Sequence, residues 1–437
     1  MQPPNFLRPP KDLTTLCHQQ PYIAGIFLVK SRISIPGLKH EEDKMNNKIL
    51  EGITRNIIIL GLVSLFTDLS SQMVFPLIPL FLTTIIGAGA YAVGIVEGAA
   101  ETTASLLKVV SGYWSDKIKR RKPFVLCGYS LSTVTKPLFA FAQVWSFVLF
   151  VRVIERIGKG LRTAPRDALV AESCDERVRG KAYGFHRAMD GIGSVFGAVL
   201  AFLLLPILGY RNIFLYAFIP GIMAVVVIFF IKEKNTPVIK EEKKKSVRVS
   251  FRELPVNLRL FIVVASLFAL GHFGYAFLLL RALNIGLDDS MSILLYVLFY
   301  IVYTICIVPA GVLSDKIGRK PVLRGGYLLF AVVSLGLVFT SDMKSILLFF
   351  VGYGIFYAMI DGVQRAFVVD LAPPHLKATA LGTFHTAIGL VALPGGYVAG
   401  VLWDAIAPEA TFVYGCVLAV ISVVLFVFVK DERHKYQ

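Results

Sequence analysis

Charge is scarce in this chain: 17% of its residues are Asp, Glu, Lys or Arg, against 56% that are hydrophobic. That leaves too little polar surface to clothe a soluble globule of 437 residues. The mean hydropathy of +0.68 agrees, so most of the apolar surface is expected to face lipid. Cysteine is sparse too. Cys17, Cys127, Cys174, Cys306 and Cys416 show no CxxC or Cys/His spacing, which argues against a disulfide scaffold and a metal framework. They read as small apolar residues. Catalytic signatures are also missing. No HExxH, GxSxG or phosphate-loop pattern occurs, and Gly158-Lys159-Gly160 lacks the spacing and strand-to-helix setting of a phosphate loop. The chain is therefore not expected to be an enzyme, nor to hold a metal or cofactor.

The charges that are present sit unevenly. The formal balance is +16, which in a soluble protein would suggest nucleic acid. Here the cations lie in short loops between apolar runs. One loop holds Lys117, Lys119, Arg120, Arg121 and Lys122; the connector 232–256 holds Lys232, Lys234, Lys240, Lys243, Lys244, Lys245, Arg248 and Arg252. The alternate loops are almost bare: 87–90 carries no charge, and 284–290 only Asp288 and Asp289. This is the positive-inside pattern. It predicts a multi-pass protein of the cell (inner) membrane with both termini cytoplasmic, and no nucleic-acid partner.

About twelve helical spans of roughly 20 residues or more can be placed. They run near 56–86, 91–113, 123–141, 145–166, 182–206, 211–231, 257–283, 290–313, 321–340, 345–369, 379–403 and 410–430. The expected fold class is all-α and polytopic, with a six-helix half over 45–231, a cytoplasmic linker over 232–256, a second six-helix half over 257–430 and a short tail over 431–437. Residues 1–44 are Pro-rich and polar apart from Tyr22 to Val29, a patch too short to span and without signal-peptide flanks. They read as a disordered tail or a mis-assigned start, with Met45 as the other possible beginning.

Two stretches are near copies. Residues 112–123 read Gly-Tyr-Trp-Ser-Asp-Lys-Ile-Lys-Arg-Arg-Lys-Pro, and 311–321 read Gly-Val-Leu-Ser-Asp-Lys-Ile-Gly-Arg-Lys-Pro. Each joins one apolar span to the next. Further matches relate Arg179 to Gly184 with Lys377 to Gly382, and Arg166 with Arg365. Same-orientation repeats joined by a linker imply a pseudo-two-fold axis along the membrane normal, an arrangement common among solute carriers.

These motifs resemble the major facilitator superfamily, whose hallmark between its second and third helices is Gly-x-x-x-Asp-(Arg/Lys)-x-Gly-Arg-(Arg/Lys). Gly311, Asp315, Lys316, Gly318, Arg319 and Lys320 match it fully. The first copy, with Gly112, Asp116, Lys117, Arg120 and Arg121, has Lys119 at the glycine position and one extra residue before Pro123. The resemblance covers roughly residues 50–430 and implies alternating-access transport. The residues themselves suggest a latch: the glycines for close helix approach, the aspartates to accept bonds from an arginine or a helix N-terminus, and the cations facing cytosol and headgroups. A purely topogenic charge cluster is the plainer reading.

Ionisable residues at membrane depth are costly and so mark candidate sites. Asp68 lies near the midplane of the first span amid Thr67, Ser70, Ser71 and Gln72, before Pro76 and Pro79, which should loosen the helix. Glu97 and Glu101 share one face of the second span, where close carboxylates would suit a proton carrier. Lys136 is a counter-ion candidate on the third. The fourth span places Arg152, Arg156 and Lys159 on one stripe, with Glu155, Lys159, Arg162 and Arg166 beside it. Such a helix must line an aqueous cavity or pair internally. The fifth adds His186, Arg187 and Asp190. The second half offers His272, Asp361, Arg365 and His385, with Tyr275, Phe299, Tyr300, Tyr303, Phe356 and Tyr357 as walls.

Each has a structural alternative. Lys108, Arg162, Arg166 and Arg365 could snorkel to the cytoplasmic surface. Glu155 and Lys159 could form a structural pair. The histidines and aromatics could be packing. Glycines 191, 193 and 197 on the fifth span and 389, 395, 396 and 400 on the eleventh permit close helix contact. The fifth resembles the glycine-rich stretch of drug antiporters, but Ala198 stands where that pattern has proline.

The expected activity is transport of a small solute by alternating access, with protons as coupling ion and a monomer sufficient. Proton exchange falls to Asp68, Glu97, Glu101 or Asp190. Binding of an anionic or zwitterionic solute falls to Lys136, Arg152, Glu155, Arg156, His186, Arg187, His272 and His385. The alternatives are efflux of drugs or lipophilic cations, and a transporter-like sensor that moves nothing.

Overall fold

The computed structural model describes residues 53–118, 120–175, 178–233 and 251–430. The N-terminal segment 1–44, Lys119, most of the 232–256 linker and the 431–437 tail lie outside the described residues. No strand occurs among the described residues. Long apolar runs have no other option in lipid, where every backbone N–H and C=O must be paired within its own segment.

The spans are α1 (Arg55–Ile85), α2 (Ala90–Ile118), α3 (Lys122–Phe141), α4 (Trp145–Glu172), α5 (179–208), α6 (210–228), α7 (Val256–Asn284), α8 (Asp289–Ile317), α9 (Arg319–Val338), α10 (Met343–Leu371), α11 (Lys377–Ala405) and α12 (Pro408–Phe428). Helices α5 and α6 meet at Gly209, whose φ of 67° and ψ of 173° break the helix. The chain must double back there. Thr54 Oγ1 donates to Ser173 O (2.8 Å), just before α5, and Asn56 Nδ2 donates to Lys232 O (2.7 Å), just after α6. Both ends of the α5–α6 pair therefore lie beside the same end of α1.

Two spans are broken part-way. In α1, regular helix stops at Val74; Pro76 and Pro79 follow, and Phe81–Ile85 closes as a π turn. This is the loosening the two prolines predict. In α7, helix Val256–Gly271 stops at His272, whose ψ is 95°, and a second helix begins at Gly274 with φ 68°. No proline marks this break, and a single uninterrupted span over 257–283 is what the sequence suggests. By contrast, Pro394 lies inside an unbroken Lys377–Ala405.

Packing repeats between the halves. The pairs α1–α5, α2–α4, α3–α4 and α3–α6 of the first half have counterparts in α7–α11, α8–α10, α9–α10 and α9–α12 of the second. The halves meet along α2–α11 and α5–α8. Small residues allow close packing within each half: Cβ atoms at Gly193 and Gly197 would strike the Leu65 and Leu69 carbonyl oxygens of α1, and one at Gly395 would strike Leu270 O of α7.

Candidate functional site

The centre of the first half is ionic. Arg152 is fully buried on α4. Its Nη2 donates to both Glu97 oxygens, at 3.1 and 3.0 Å, and its Nη1 reaches Glu155 Oε2 at 3.4 Å. Arg156, one turn on, approaches the same Glu155 oxygen through Nε at 3.4 Å. Both guanidinium groups lie over one ring of α1, Phe75, at 4.0 and 4.7 Å from its centroid. Two cations over one π face, out of water, are held by the ring quadrupole as well as by the carboxylates. Both terminal nitrogens of Arg152 are paired, to Glu97 and Glu155, and only its Nε lacks a partner, whereas Arg156 Nη1 is buried with no hydrogen-bond partner among the described residues.

The two carboxylates of α2 part ways. Glu97 turns to Arg152. Glu101 is solvent-exposed and accepts only from Ser105 of its own helix, at 3.4 Å. The proton-sharing pair their spacing suggests is replaced by a guanidinium–carboxylate contact at Glu97. The α2–α11 contact stays tight past Glu101, where Thr102 Oγ1 donates to Gly389 O (2.6 Å), and loosens only nearer the motif loops. The Gly94–Gly396 and Gly98–Ala392 contacts are tight, whereas Gly382 would only reach Val109 at 3.8 Å.

Other expected site residues are enclosed. Lys136, fully buried, donates through Nζ to Ser70 Oγ (2.7 Å), and Ser70 donates to Ala217 O. It is walled off inside the α1–α3–α6 packing. Arg162 does not snorkel. It is 5% exposed, donates to Ser132 Oγ (2.5 Å) and lies 4.5 Å from the Tyr129 ring centroid. Towards the motif face, Asp190 accepts from Ser64, pairs with Arg187 at 3.3 Å and faces His186 Nδ1 at 3.6 Å. Asp68 is half-buried within electrostatic reach of Asp190 and Arg162.

The second half supplies rings. His272, at the break in α7, meets Tyr353 OH at 2.8 Å and is surrounded by Phe268, Phe330, Phe356 and Tyr357. His385 is half-buried on α11 against Phe384. Tyr275, first turn of the second α7 helix, has a buried hydroxyl without a partner and packs on Tyr296 at 5.0 Å. A polar bridge joins the halves at this level: Tyr296 OH donates to Gln72 Oε1 (2.8 Å), and Gln72 Nε2 donates to Tyr300 OH (2.6 Å). Sequence reasoning noted Gln72 only as a polar neighbour of Asp68 and gave Phe75 no role.

The two motif copies build matching networks. In the first, Arg121 pairs with Asp116, donates to Ser115 Oγ (2.9 Å) and reaches Glu172 at 3.3 Å. Lys122 Nζ donates to Phe229 O and Ile231 O. In the second, Arg319 pairs with Asp315, donates to Ser314 Oγ (2.6 Å) and reaches Asp370 at 3.4 Å, while Lys320 Nζ donates to Val427 O and Val429 O. Arg121 is thus the counterpart of Arg319, and Arg120 is exposed beside it. Gly318 needs its glycine for a φ of 112°. The expectation of close packing at both leading glycines divides: a Cβ at Gly112 would meet Ala164 at 3.3 Å, but one at Gly311 would meet nothing within 4 Å.

A sequence profile of the Major Facilitator Superfamily matches residues 60–288 and 260–437. The chain belongs to the major facilitator superfamily. An MFS-type transporter of Methanocaldococcus jannaschii is 40% identical over 88% of this chain and 97% of its own. A cis,cis-muconate transport protein of Acinetobacter baylyi is 25% identical over 75% of this chain and 83% of its own. Among solved structures, a nucleoside transporter superposes with a TM-score of 0.72 at 14% identity, covering 85% of this chain and 99% of that one. The protein is a multi-pass membrane transporter of the MFS fold.

Proposed function

We propose that the protein carries a small organic anion across the cell membrane, binding it at Arg156 between the halves. The observation that carries this reading is the buried, unpartnered Nη1 of Arg156. A desolvated guanidinium edge with no acceptor is costly, and a carboxylate or similar anion would satisfy it. The α4 stripe it belongs to is cation-rich, with Arg152, Arg156 and Lys159 against Glu155. Tyr275, across the interface, offers a second unpaired hydroxyl. The muconate relative is consistent with this class, since muconate is a dicarboxylate.

Asp68 and Glu101, which have no ion pair within 4 Å among the described residues, are the carboxylates best placed to exchange protons, because Glu97 is held by Arg152 and Asp190 by Arg187. The basic motif loops would face the cytosol. The Asp116–Arg121 and Asp315–Arg319 networks would rearrange as the halves rock. The reading is tested by counterflow in liposomes containing purified protein, with labelled mono- and dicarboxylates on one side. Saturable exchange by the wild type, lost in Arg156→Gln, is the expected result. Exchange of lipophilic cations with no exchange of any carboxylate would overturn it and favour drug export.

A further inference from the structure

Helix α2 begins without a cap of its own. The residues before it, Gly87-Ala88-Gly89, carry no side chain that could accept from the first backbone N–H groups. The opposite-face starts of α8 and α10 do have one: Asp288 accepts from Met291 N, and Asp342 accepts from Ser345 N. For α2 the acceptor comes from the other half. Asp404, in the last turn of α11, accepts from Ala90 N at 3.0 Å and from Tyr91 N at 2.7 Å.

The surrounding residues are cut to fit this contact. A Cβ on Gly89 would strike Asp404 Oδ2, and a Cβ on Gly400 would strike Ala90 O and the Tyr91 backbone. One turn further in, Gly94 and Gly396 have backbone against backbone. Helices α2 and α11 are thus zipped at the face opposite the motif loops, and the zip ends in a carboxylate placed on a helix N-terminus, where the macrodipole favours negative charge.

We propose that Asp404 is a latch that holds the face opposite the motif loops closed by capping α2 from the opposite half. Opening that face requires Asp404 to leave Ala90 and Tyr91, and water then takes its place. The motif networks keep their acid–base contacts within one half. The Asp404 contact exists only while the halves are together on this side, so it sets the balance between the two access states.

The test uses the full chain with its native cysteines replaced and spin labels at Gln143→Cys and Ser341→Cys, two exposed loop positions on that face. Pulsed dipolar spectroscopy then reads the distance between halves. The Asp404→Ala variant is expected to gain a longer-distance population roughly fivefold over the parent, the scale of a lost helix cap. Asp404→Asn, which keeps an acceptor but no charge, is expected between the two. It also keeps the test decisive should the alanine variant fail to fold. Gly400→Leu, which wedges the helices apart, shows what an open face looks like. An unchanged distribution in Asp404→Ala or Asp404→Asn, with Gly400→Leu open, would overturn the latch and leave the glycine contact as what holds this face closed.

Discussion

The two halves share a scaffold and differ in what fills it. In the first, Lys136, Arg152, Glu155, Arg156, Arg162 and His186 are all buried. In the second, Arg281 is the one buried charged residue among those described. The second half is filled instead by rings: Phe268 stacks on Tyr327 at 3.9 Å, and His272, Phe330, Tyr353 and Phe356 close around it. Arg281 is satisfied locally by Asn284, Glu409 and the Val338 and Thr340 carbonyls, far from the centre. Duplication thus fixed the helix packing and the hinge loops, which both halves keep. Buried charge is concentrated in one half, and the other is filled by rings. On the proposed reading, the carrier binds through the first half and senses closure through the second.

The sharpest way to break this contrast is Arg152→Ala. It strands Glu97 and Glu155 without their shared guanidinium, and removing one partner of a buried pair costs about 3–5 kcal/mol. Transport should fall below detection, and thermal unfolding in detergent should show a large drop in Tm. The matching cut in the second half, Tyr353→Phe, removes only the bond to His272 and should cost about 1 kcal/mol.

Arg156→Gln comes next. Its only ion pair among the described residues is the 3.4 Å approach to Glu155, so stability should change little. Anion affinity should fall about tenfold or more, the scale of a lost charged hydrogen bond, as read by equilibrium binding. Gln72→Leu probes the bridge between halves. It removes the Gln72 partner of the Tyr296 and Tyr300 hydroxyls, and should change the exchange rate a few-fold with a smaller effect on affinity.

The smallest contrast lies in the motif copies. Gly318→Ala forces a side chain into φ 112° and should destabilise by about 1 kcal/mol. Gly311→Ala meets open space and should stay within about 0.5 kcal/mol of wild type. Gly112→Ala, with Ala164 at 3.3 Å, should fall between them. Melting curves of the three purified variants check the order.

Much of the fold is legible in the sequence because lipid leaves few choices. Apolar runs of spanning length must be helices, basic loops alternate with bare ones, and the copies at 112–123 and 311–321 announce the duplication. The ionic stripe of α4 is equally legible, since no helix carrying Arg152, Glu155, Arg156 and Lys159 can face lipid. Which of those charges remain open to a ligand is not, because that depends on partners from other helices. Lys136 finds Ser70, Arg162 finds Ser132, and Glu97 finds Arg152 rather than Glu101. The break at His272 carries no proline and interrupts no hydropathy signal. Asp404 reads as an ordinary helix-end acid until the bare Gly87-Ala88-Gly89 entry to α2 is brought beside it.

The central claim is that the guanidinium edge of Arg156 is an anion site. The most direct test is the melting temperature of the detergent-purified protein against small carboxylates, zwitterions and lipophilic cations, in wild type and Arg156→Gln. A ligand at about 100 times its Kd adds roughly 2.7 kcal/mol, enough to see. The account predicts that at least one carboxylate stabilises the wild type and stabilises Arg156→Gln by about half as much or less. Equal stabilisation of both proteins, or stabilisation by lipophilic cations alone, would contradict it.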